Sequence, residues 1–255
     1  MTACLEPPLG LPMGAPIQVV PSGEAWVQVR DDLSAYGTVL VYGSIDTLLP
    51  DRPDREQLRA VLGRRWTRHL DLAQPLLPYR YAAAEALLRC VAAVIPGVDP
   101  HTLELFQGPG GRPSVRGWEQ IDVGFSHWGD LLFAGLTTRG LVGIEVERAD
   151  RPVYGEGLAR YLCTPQDLVA LAKLPREERD AALLRLALLR AAYVKAAGWP
   201  DAFHPLRQGT DTNGGPAGTE RPDGTSCSRD EWTLRTFNVN CGFVLGVAVY
   251  DVGEE

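Results

Sequence analysis

Glu145 and Glu147 stand two residues apart in Val142-Gly143-Ile144-Glu145-Val146-Glu147, a stretch that alternates apolar and polar side chains. That alternation is the period of a half-buried strand. Val142, Ile144 and Val146 would face a core, which sends both carboxylates out side by side on the opposite face. Parallel carboxylates repel unless something positive lies between them. A hard divalent cation such as Mg2+, completed by water and by phosphate oxygens, is the usual solution. An isolated Glu-x-Glu is more often an ordinary solvated strand face, so its weight depends on what surrounds it.

The surrounding elements read as alternating strands and helices. Thr38 to Ile45 is a β-branched run and a strand. A further strand is expected around Ala25 to Val29, inside a Pro- and Gly-rich segment that reads as a loosely attached extension over residues 1–37. Arg55 to His69 fits a helix, and Tyr79 to Val94 carries the apolar stripe Ala83, Leu87, Leu88, Val91, Val94, stopped by Pro96-Gly97. Leu103 to Phe106 alternates like a strand, and Gly110-Gly111-Arg112-Pro113 is a turn by composition. Val123 to His127 and Leu131 to Thr137 read as a hairpin closing across Trp128-Gly129-Asp130 and leading into the Glu-x-Glu strand. Beyond it, Ala159 to Leu174 reads as a helix pair broken near Thr164-Pro165, and Arg176 to Ala197 as a largely buried helix. Residues 208–230 read as a mobile insertion, followed by an antiparallel pair over Glu231 to Val239 and Gly242 to Tyr250. The groupings predict an α+β fold of two similar halves related by a pseudo-twofold, near residues 38–140 and 141–255, with a cleft between them.

Composition bounds the function class. With 255 residues, 45% hydrophobic and 22% charged, the chain can bury a substantial core. A formal net charge of −7 speaks against nucleic acid as a partner. Five scattered cysteines without metal-ligand spacing read as reduced thiols, and no leader or spanning segment is evident, so a cytoplasmic protein without membrane attachment is expected.

In this order, five features resemble the phosphopantetheinyl transferases of the surfactin-synthetase type. They are Tyr79-Arg80 opening a helix that ends in Leu88-Arg89; Gly111-Arg112-Pro113; Phe125-Ser126-His127; Gly143-Ile144-Glu145-Val146-Glu147; and Arg190 to Lys195 followed by Gly198. The resemblance implies an enzyme that moves the phosphopantetheine arm of coenzyme A onto a serine of an acyl or peptidyl carrier protein, with Mg2+ on the diphosphate. It implies that Glu145 and Glu147 hold the metal, that Arg80, Arg112, Ser126 and His127 face the nucleotide end of coenzyme A, and that Lys195 meets the phosphate. Such phosphoryl chemistry suits cations and hydroxyls placed around an anion.

The chain departs from the family's pattern at its chemical centre. Glu145 stands where the family has aspartate, Gln166 where it usually has an acid, and Ala191 where it has the glutamate that serves as metal ligand and general base. Glu177 and Glu178 lie more than three turns upstream on the same helix. Removing a general base costs on the order of 10²–10⁴-fold in rate. Three readings follow: a transferase with altered chemistry, a repurposed cyclase or isomerase acting on a polyketide or peptide intermediate with His127 or a glutamate as acid/base, and a non-catalytic binder of coenzyme A or carrier protein. Trp128, next to His127, offers the second reading an aromatic wall.

Overall fold

The structure, a computed structural model, describes residues 11–62, 77–108, 111–197, 232–239 and 242–252. Its class is α+β, as expected. In chain order the described elements are β1 (Ile17–Gln18), α1 (Ala25–Tyr36), β2 (Thr38–Ser44), α2 (Ile45–Leu48), α3 (Arg55–Leu62), α4 (Leu77–Ala92), a 3₁₀ turn (Pro100–Thr102), β3 (Leu105–Gln107), β4 (Pro113–Val115), β5 (Asp122–Trp128), β6 (Leu131–Thr137), β7 (Gly140–Arg148), α5 (Glu156–Leu162), α6 (Pro165–Lys173), α7 (Arg176–Ala197), β8 (Trp232–Val239) and β9 (Phe243–Asp251).

Two sheets carry the site. One has the order β1-β2-β6-β5 and the other β7-β9-β8, with β3-β4 a separate ribbon. Strict alternation along each strand builds the layers. Val39, Val41, Leu132, Ala134 and Leu136 pack on Leu87, Leu88 and Val91 of α4. Leu40, Tyr42 and Phe133, on the reverse face, meet Val142, Ile144, Val146, Leu245 and Val247 of the second sheet. That sheet's outer face, including Val244 and Ala248, receives Leu188, Ala192 and Ala196 of α7. Spacing of four residues puts those three α7 side chains on one stripe.

α7 lies unusually near its sheet because two glycines face it. A Cβ on Gly143 would come within 1.9 Å of the Ala192 carbonyl oxygen, and one on Gly246 within 2.7 Å of the Leu188 backbone. No side chain fits in either place, so the helix rests on bare backbone at Gly143, two residues before Glu145.

The strand expected around Ala25 to Val29 is a helix instead. Trp26, Val29 and Leu33 recur at helical spacing, and α1 packs Val29 and Leu33 into the core before Gly37 ends it with φ 67°. The loose extension expected before residue 38 is likewise core over its described part: Met13, Ile17 and Val19 are buried, and β1 pairs parallel with β2. The helix expected over Arg55 to His69 runs from Arg55 to Leu62, and its last seven expected residues lie outside the described ones. The insertion at 208–230 lies outside them too. The Tyr79 and Arg176 helices and the hairpin form where the pattern placed them. Among the described residues no helix is long and apolar enough to cross a membrane.

Candidate functional site at the seam of the two sheets

Strand β5 edges one sheet and β7 edges the other, and they lie side by side without a shared backbone ladder. Two side chains of β5 span the gap. The Val142 N–H donates to Asp122 Oδ2 at 2.7 Å, and the Val146 N–H donates to Ser126 Oγ at 3.3 Å. Both pairs are offset by 20 residues, so the strands run in the same direction.

At the Ser126 end the predicted residues converge. Lys195, in the last turn of α7, is ion-paired with Glu145 Oε2. Its Nζ also donates to Ser126 Oγ and to the Phe125 carbonyl, each at 3.4 Å. Ser126 Oγ donates in turn to Glu145 Oε2 at 3.3 Å. The buried Ser126 hydroxyl thereby spends its proton on Glu145 and accepts from Val146 and Lys195, which fills its bonding capacity.

His127 and Arg80 adjoin this knot from the α4 side. His127 is held below the ordinary imidazole value, first by burial, then by the charges of Arg80 and Lys195, against a weaker opposing pull from Glu145. Its imidazole is therefore neutral at pH 7 and free to accept a proton. Arg80 Nε is buried and lacks a hydrogen-bond partner among the described residues. A buried guanidinium N–H without a partner carries an unmet demand for an acceptor that an anion would satisfy.

Two predicted residues are engaged elsewhere. Arg112 does not open toward the cleft: its guanidinium pairs with Asp122, and donates to the carbonyls of Lys195, Ala196 (2.7 Å) and Val142 (3.2 Å). It ties the end of α7 to both strands. Burial pushes the Asp122 carboxyl up, opposed by Arg112 and by the Val142 N–H. Glu147 leaves the strand on the same face as Glu145 but closes on Arg151, four residues on, and accepts from the Arg148 N–H at 3.0 Å.

Mg2+ requires a near-octahedral set of oxygens. Here one carboxylate holds Lys195, the other holds Arg151, and Ala191 supplies nothing. Among the described residues no three His, Cys, Asp or Glu side chains gather into a metal-binding group. The donor set does not suit Mg2+.

No family model matches the chain. Over 122 residues it is 29% identical to a protein of Synechocystis sp. named "Putative 4'-phosphopantetheinyl transferase", a match covering 47% of this chain and 49% of that protein. The chain thus spans about half the length of the curated relative it matches. The similarity agrees with the phosphopantetheinyl transferases in general and does not distinguish the surfactin-synthetase type among them.

Sequence reasoning missed Asp122, Arg151 and the Phe125 carbonyl. Asp122 was visible as a lone acid opening an apolar strand, and Arg151 as a cation four residues after Glu147. A backbone carbonyl leaves no trace in a sequence. Beside Glu147 lies an open concavity of about 560 Å³ lined by Trp128, Glu147, Arg148, Asp150, Arg151 and Pro152. Arg148 stacks on Trp128, 5.6 Å from the ring centre, and Trp128 leans on Phe243 at 5.4 Å.

Proposed function

We propose that the chain is a phosphopantetheinyl transferase-like protein that binds the diphosphate of coenzyme A at the β5–β7 seam and receives a carrier-protein serine beside it. The observation that carries this reading is the convergence of Lys195, Ser126 and Glu145 with His127 and the unpartnered Nε of Arg80. Lys195 and Arg80 supply the positive charge a diphosphate needs. In the reaction, the serine oxygen attacks the phosphorus that bears the pantetheine arm. The bond from that phosphorus to the oxygen of the departing 3',5'-bisphosphorylated adenosine breaks. Neutral His127 takes the serine proton, standing in for the base lost at Ala191. Glu145 holds Lys195 in place, and Glu147 with Arg151 walls the acceptor side.

Ala191 also favours a second reading, in which the seam acts on a polyketide or peptide intermediate seated against Trp128, as a cyclase or isomerase using His127. One experiment separates them. The protein is incubated with coenzyme A and a panel of apo carrier proteins, and the carriers are weighed by intact mass spectrometry. The expected result is a phosphopantetheine mass gain that is lost in His127→Ala. Coenzyme A binding without any mass gain would leave the non-catalytic binder, and neither binding nor gain would pass the site to the second reading.

A further inference from the structure

We infer that the Lys195 ammonium is the resident cation of this site, so that the diphosphate of coenzyme A binds here without a divalent metal. The inference rests on the coenzyme A reading above and concerns what neutralises the carboxylates when that ligand arrives. A lysine ammonium has three N–H donors, and three oxygens meet this one: Glu145 Oε2, Ser126 Oγ and the Phe125 carbonyl. They come from β7 and β5, so the nitrogen sits among oxygens drawn from both sheets, as a small metal ion would.

The cation is built into the fold. Arg112 holds the Lys195 and Ala196 carbonyls, and Gly143 lets α7 descend until the lysine stem reaches the seam. Glu147 is neutralised separately by Arg151. A Mg2+ ion would have to displace both organic cations, shed water reluctantly and then find no third carboxylate at Ala191. The charge balance points the same way. Glu145 is matched by Lys195 and Glu147 by Arg151, while Arg80 acts on a His127 that stays neutral, which leaves an excess positive charge for an anion rather than an excess negative one for a metal. The Lys195 side chain keeps 44% of its surface exposed and two of its three contacts are long, at 3.4 Å, so an arriving phosphate oxygen can take the place of one of them.

Calorimetric titration of coenzyme A into the full-length protein, in EDTA and in Mg2+, tests this. The unmutated protein should bind equally in the two buffers, within about twofold. Lys195→Ala should bind at least about tenfold more weakly in EDTA, the usual loss for one charge-assisted contact. It should recover part of that loss in Mg2+, because Glu145 is then uncovered. Tighter binding of the unmutated protein in Mg2+ by tenfold or more overturns the inference and leaves the coenzyme A reading standing. Binding by Lys195→Ala that is unchanged in EDTA, or weakened and unmoved by Mg2+, also overturns it. No binding by the unmutated protein in either buffer removes the coenzyme A reading itself and this inference with it.

Discussion

Strands β5 and β7 flank the same seam but carry their charge in opposite ways. On β7 each acid already grips a cation, Glu145 the ammonium of Lys195 and Glu147 the guanidinium of Arg151. On the β5 side His127 is pressed toward its neutral form, and the neighbouring Arg80 keeps an unpartnered Nε among the described residues. The β7 side is closed to a metal, each acid being matched by a cation, while the β5 side carries a buried guanidinium N–H without a partner among the described residues. Two departures from the family's pattern, Glu145 and Ala191, lie on β7 and on the α7 helix that packs against its sheet. In the proposed reaction Lys195, gripped by β7, and Arg80, near His127 of β5, share the phosphates, so a change on β7 alters the demand for a metal without removing the anion's partners.

The largest expected effect breaks the joint between the two sides. Arg112→Ala leaves the buried Asp122 carboxylate and several carbonyls without their donor, and should cost about 3–5 kcal/mol in urea unfolding. Adding Asp122→Asn should recover part of that loss, since the uncompensated charge is gone. A single variant that unfolds like the parent would show that the strands and α7 hold together without the clamp.

Gly143→Ala comes next. A methyl group 1.9 Å from the Ala192 oxygen forces α7 to lift, at about 1–3 kcal/mol for overpacking. Coenzyme A affinity should fall with it, because Lys195 rides on the displaced turn. Retained affinity in a destabilised variant would detach phosphate binding from the closed side.

Ala191→Glu converts the closed side toward a third carboxylate. The introduced side chain would precede Lys195 by four residues, a favourable helical pair, so stability should move by less than about 0.5 kcal/mol. Mg2+ should raise the melting temperature of this variant and leave the parent unmoved. The same Mg2+ response in both would erase the distinction between them.

The smallest effect is a proton count. The two cationic neighbours that help hold His127 low would be offset by a bound diphosphate, so its pKa should rise on binding. Coenzyme A should therefore take up a fraction of a proton near about pH 6, where free imidazole begins to charge, and almost none above about pH 8. Titration in buffers of different ionisation heat reads this directly. Uptake that persists in His127→Gln would assign it to another group. For the unliganded protein the same shift has the opposite consequence: the folded state binds fewer protons than the unfolded one, so this contribution to stability is whole above about pH 6.5 and is lost as pH falls below it.

Much of this was legible in the chain. The bounds of α7, the hairpin and the alternation of β7 follow from periodicity, because burial on one face leaves a regular mark. Glu145, Ser126 and Lys195 were grouped by motif order, and the fold brings them together. What stayed hidden depends on three dimensions. Arg112 reads as a phosphate ligand until its neighbours are known, since a guanidinium serves carbonyl oxygens as readily as phosphates. Val27 and Val29 suggested a strand because β-branched residues favour one locally, while Trp26, Val29 and Leu33 decided for a helix once a sheet lay beneath them.

The seam between β5 and β7 has a consequence for failure as well as for function. An open strand edge invites another molecule to pair with it. Here Asp122, Ser126 and Arg112 cover the Val142 and Val146 backbone of β7, so its edge is masked by side chains from beside the other sheet. Parting the sheets uncovers two adhesive edges at once. Damage at Asp122 or Ser126 should accordingly surface as precipitation during expression as well as a softened melting curve, and solubility becomes a property written into the residues that join the two strands.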